Sequence, residues 1–92
     1  MSLDPARLES RLRRAFGGTD GEVRVVARQA ADLADSGRYA ADVGATLTAD
    51  VVIEELADAP DGTPADRLNW WIGSLELAFG GYEHFGVDRY RP

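Results

Sequence analysis

The sequence contains no cysteine, which excludes disulfides, zinc–thiolate centres, iron–sulfur clusters and thiol catalysis. It contains no lysine either, and all ten cations are arginine. That removes the phosphate-loop lysine, Schiff-base chemistry and any lysine general base. Histidine occurs once, as His84, the one side-chain type whose ordinary pKa lies near neutrality. No apolar run approaches the roughly 20 residues of a membrane-spanning helix. The most apolar stretch, Trp70–Tyr82, is interrupted by Glu76. The N-terminus lacks an apolar core before a small-residue cleavage site, so no signal peptide and a cytoplasmic location are expected.

What is present is an ordinary globular composition. The 92 residues are 45% hydrophobic and 28% charged, which argues for a single folded domain. A compact chain of this length has a radius of gyration of about 12 Å. It is too short for a large cleft enzyme with its own cofactor fold, and without disulfides it depends on packing or on oligomerisation. Sixteen acids against ten arginines give a net charge of −6. This aspartate-heavy, lysine-free profile resembles that of proteins from extreme halophiles; a GC-rich genome is the plainer source of the arginines. The charge is uneven, being +2 over residues 1–28, −8 over 29–66 and zero over 67–92. Such a split points either to a basic arm for nucleic acid or to two elements that attract each other on folding.

Local signals divide the chain into helices. Asp4-Pro5 is an N-cap with proline at the first helical position, and Leu8, Leu12, Ala15 and Phe16 form an apolar stripe that ends at Gly17. Thr19-Asp20-Gly21-Glu22 reads as a capping box, with the Glu22 side chain reaching back to the cap. Val23, Val26, Ala27, Ala30, Leu33 and Ala34 then recur at helical spacing up to Gly37. Residues 38–47 are ambiguous: Tyr39, Val43 and Leu47 suit a helix, whereas Gly44 and Thr46 weaken one. Thr48 caps a third helix that Pro60 stops, with Val52, Ile53, Leu56 and Ala59 facing inward. Thr63-Pro64 opens a fourth, whose inward stripe is Leu68, Trp71, Ile72, Leu75, Ala78, Phe79 and Tyr82. Trp70, Gly73, Ser74 and Leu77 form a second, smaller stripe on its back. A helix apolar on two sides is either central in its bundle or shared with a partner.

Other constellations have plainer readings. His84 lacks the Glu-x-x-His spacing of di-metal bundles, because Gly81 stands three residues before it. Asp50, Glu54 and Asp58 share one helical face, which reads as a solvated acidic surface. Gly17-Gly18-Thr19-Asp20-Gly21 lacks the spacing of a phosphate cradle and places acids where an anion would sit. No cofactor and no metal ligand set is expected. Arg7, Arg11, Arg13, Arg14, Arg24 and Arg28 are the candidate phosphate-binding patch, although no aromatic residue is interleaved with them.

Together these features predict an all-α domain over residues 1–82. It is a small orthogonal or antiparallel bundle of four helices, with a fifth if 38–47 is helical. The alternative is an α+β fold with a two-stranded element from Glu22–Ala27 and Val43–Leu47. Residues 83–92, with His84, Phe85, Val87 and Tyr90, are too aromatic for a solvated tail and are expected to dock on the domain or on a partner. The function expected is that of a non-catalytic protein-interaction module, a homodimer or the small subunit of a complex. Its contact residues would be Trp70, Gly73, Ser74, Leu77, His84, Phe85 and Tyr90. The alternatives are a DNA-associated regulator using the six arginines and, third, a small enzyme or ligand-binding bundle using His84.

Overall fold

Residues 3–87 are described by a computed structural model of the chain. Five helices follow in order: α1 (Pro5–Phe16), α2 (Asp20–Ser36), α3 (Arg38–Val43), α4 (Ala49–Ala57) and α5 (Pro64–Phe79). A single 3-10 turn, Glu83–Phe85, closes the described chain. The radius of gyration is 12.0 Å, as the length requires. No strand occurs among the described residues, and the two-stranded alternative is overturned: Glu22–Ala27 lies within α2. Val23 and Val26 belong to the buried stripe of a helix whose alanine-rich continuation, Ala27, Ala30 and Ala31, is also buried, while Val25 between them is exposed. Residues 38–47 divide, with α3 ending at Gly44 and Leu47 turned into the core.

The helix starts follow from local hydrogen bonding. The Asp4 carboxylate accepts from the Ala6 amide, and Thr19, Thr48 and Thr63 accept from the amides three residues on. The reciprocal capping box is complete at Thr63 and Asp66. At Thr19 only half of it forms, because the Glu22 carboxylate accepts instead from the Ala65 amide at 2.9 Å. That amide is one of the unpaired donors in the first turn of α5, so Glu22 joins the starts of two helices.

Four helices close a ring, α1 on α2, α2 on α5, α5 on α4 and α4 on α1, while α3 packs on α2. The core they enclose includes Leu8, Leu12, Val23, Val26, Leu33, Val52, Leu56, Leu68 and Trp71. The inward stripe of α5 ends one turn earlier than its spacing predicts. Leu68, Trp71, Ile72 and Leu75 are buried, but Ala78 is exposed and Phe79 is 47% exposed. Tyr82 reaches the core because the chain reverses at Gly80 and Gly81, both near φ +80°, a conformation that favours glycine.

Candidate interaction surface

The outer face of α5 is built by helical rotation. Positions 70, 73, 74 and 77 stand at i, i+3, i+4 and i+7 and share one side, while Trp71, one residue on from Trp70, turns inward. Trp71 is accordingly 2% exposed and meets Tyr39 edge-on, whereas Trp70 is 41% and Leu77 is 91% exposed. Between them Gly73 is open, since a Cβ there would meet nothing within 4 Å. The Ser74 hydroxyl donates to the Trp70 carbonyl within the helix, so it makes no demand on a partner. Glu83 and Gly86, with Asn69 and Ile72, border a shallow groove along this face.

Residues 80–87 lie against the domain, and most of the hydrogen bonds that hold them are to their main chain. Arg38 donates to the carbonyls of Gly80 and Gly81 at 2.8 and 3.2 Å and stands over the Tyr82 ring. The Glu76 carboxylate accepts from the amides of Gly81, Tyr82 and Glu83. Gln29 donates to the carbonyls of His84 and Gly86. The Asn69 side chain donates to the Val87 carbonyl and accepts from its amide, at 2.9 and 2.8 Å, the pairing one strand residue offers another. Inside this frame Tyr82 and Phe85 are buried, and the Tyr82 hydroxyl donates to Asp42 at 2.7 Å.

Of the predicted contact residues at this end, His84 is exposed with its ring 4.1 Å from that of Phe85. Phe85 is part of the chain's own core and presents little surface. Tyr90 lies outside the described residues. Gln29, Arg38, Asp42, Asn69 and Glu76 escaped the sequence reading. A signal for two of them was present: Gln29 and Asn69 are the only carboxamide side chains in the sequence, and both are spent on this segment.

The same network sets the pH response. Amides of Tyr82 and Gly81 hold the Glu76 carboxyl below the usual carboxylate range. Burial, then the hydrogen bond to Asp42, pushes the Tyr82 hydroxyl up to about 12. A lowered carboxyl contributes stability above its unfolded pKa and loses it as pH falls through the folded one. A raised phenol contributes below about 10 and loses it as pH climbs towards about 12. Thermal melts across pH 9–12 should therefore show stability falling by about 2–3 kcal/mol from Tyr82 alone. Tyr82→Phe should remove that part of the slope. Tyrosinate absorbance that rises fully by pH 10.5 would contradict the assignment.

The six predicted arginines occupy α1 and α2. Arg11 is paired with Asp50 and Arg13 with Asp20, at 2.9 Å for the latter, while Arg7, Arg14, Arg24 and Arg28 are exposed. The Arg11 pair ties α1 to the acidic middle of the chain and occupies one member of the Asp50, Glu54, Asp58 face. No helix of the described residues is long and apolar enough to cross a membrane.

The model of the WNWW domain family matches residues 1–76, and the chain belongs to that family. No curated protein and no solved structure matches the chain.

Proposed function

We propose that this member of the WNWW domain family is a protein-interaction module that pairs with a second copy of itself through the outer face of α5. The observation that carries the reading is the exposure of Trp70 and Leu77 on either side of an open Gly73. Small residues let two helix backbones approach, and flanking large side chains then close over the contact. Tryptophan in such a place concentrates binding energy. A cluster of exposed apolar side chains on one helix face is a common mark of an interface in a small domain.

Light scattering behind size exclusion tests this over a concentration series. The wild-type chain is expected near twice 10.0 kDa, and Trp70→Asp near the monomer mass. The substitution removes a surface side chain, so its helical circular dichroism should be unchanged. A wild-type chain that stays at 10.0 kDa up to millimolar concentration overturns self-pairing.

A further inference from the structure

The seat that holds residues 82–87 has the form of a peptide-binding site. Its polar contacts read main-chain atoms, through Gln29, Asn69 and Glu76, and its apolar contacts receive two aromatic rings three residues apart, with Arg38 over the first of them. Main-chain reading with pockets for selected side chains is how extended peptides are recognised in general. Only Gly80 and Gly81 connect the seated segment to α5. Both hold positive φ, so the reversal depends on a backbone conformation that other residues rarely adopt.

We propose that this seat is a binding site for the residue 82–87 segment of a second copy, so that two chains join by exchanging the segment across an opened Gly80-Gly81 hinge. The second copy carries the Tyr-x-x-Phe-Gly-Val pattern that fills the seat. The contacts of residues 82–87 can then be remade between two chains, while the bonds of Arg38 and Glu76 to Gly80 and Gly81 belong to the hinge and differ between the closed and exchanged forms. Exchange is therefore governed by the hinge. An alanine at 81 would meet the Arg38 guanidinium, a mobile side-chain end, at 2.8 Å, and its main penalty is the left-handed backbone at φ +80°. An extended hinge carries no such penalty. The inference does not rest on the α5 face, because Trp70→Asp disables that face and leaves seat and segment intact.

The test uses the full chain carrying Trp70→Asp, with and without Gly81→Ala, by light scattering at millimolar concentration and after dilution. Gly81→Ala is expected to raise the dimer fraction about fivefold or more, as left-handed strain predicts, and the dimer should persist for hours after dilution. A fluorescent peptide, Gly-Gly-Tyr-Glu-His-Phe-Gly-Val, should bind the Gly81→Ala chain about fivefold or more tightly than the chain with Gly81, because its own segment vacates the seat more often. Asn69→Ala should abolish that binding. Should Gly81→Ala lose its helical spectrum, Trp70→Asp alone, refolded from urea at millimolar concentration, serves in its place. Persistent monomers in every arm overturn the proposal. So does a dimer whose chains bind the peptide no better than a scrambled one.

Discussion

Replacing Tyr82 with alanine is expected to cost about 4 kcal/mol of folding stability, within the range for a fully buried aromatic side chain. The ring has no exposed surface, and it touches the core from a position beyond the last long helix. It lies 6.2 Å, centroid to centroid, from both Phe79 and Phe85, with the Arg38 guanidinium 4.9 Å away. Alanine leaves a cavity in this cluster, strips Asp42 of its hydroxyl donor and removes the face on which Arg38 rests. For a domain of this size the melting temperature should fall by roughly 20 °C. Tyr82→Phe, which keeps the ring and loses only the bond to an exposed Asp42, should cost about 1 kcal/mol. Thermal unfolding by circular dichroism decides the matter. Equal losses from the two substitutions would place the energy in the hydroxyl rather than the ring.

Arg67→Ala is expected to cost about 2–3 kcal/mol, through the Ala59 and Gly62 carbonyls, which lose their donor. The end of α4 has no basic residue in its last turn; the Leu56 carbonyl already accepts from the Ala59 amide at 3.2 Å, but the turn towards α5 has no cationic side-chain donor of its own. Arg67, from α5, supplies one: Nη1 donates to Leu56 and Ala59 at 3.1 and 3.3 Å, and Nε to Gly62 at 2.9 Å. The guanidinium also stacks 4.8 Å over Phe16, so a single side chain joins α1, the end of α4 and the start of α5. Lysine should rescue little, since an ammonium offers neither the planar fork nor the stacking face. Urea unfolding is the measurement, with an expected fall in midpoint of roughly 1–2 M. An Arg67→Lys chain as stable as the wild type would show that charge alone suffices.

The sequence was most legible where cause and effect lie within one helical turn. The caps at Asp4, Thr19, Thr48 and Thr63 stand where side-chain chemistry put them, and the i, i+3, i+4, i+7 spacing of Trp70 and Leu77 foretold a face separate from the core. Legibility failed where partners are distant in the chain. Nothing near Glu22 says that its carboxylate prefers the Ala65 amide to the cap of its own helix. The short α3 has weak helix formers at its end, and it persists because Tyr39 packs on Trp71 and Arg38 reaches the carbonyls of Gly80 and Gly81. Docking was expected of residues 83–92 from their aromatic content; among the described residues the buried rings are Tyr82 and Phe85, while His84 is exposed. The anchors of the segment escaped the sequence, because nothing beside Gln29, Arg38 or Asn69 in the chain points to the residues they bind, 18 to 57 positions away.

Side chains that hold a neighbour by its backbone leave that neighbour's own identity unconstrained. At Glu83 and His84, therefore, selection should act on spacing more than on spelling, whereas the buried rings of Tyr82 and Phe85 and the positive φ of Gly81 fix those letters. Glu83 and His84 are exposed and contribute chiefly their peptide groups, so they are free to drift over evolutionary time. Loss or gain of one residue would instead displace each carbonyl and amide from its partner by a residue's length, about 3.3 Å. Descendants of this chain should differ from it at Glu83 and His84 by exchange of letters, and seldom by a change in the number of residues between Gly81 and Val87.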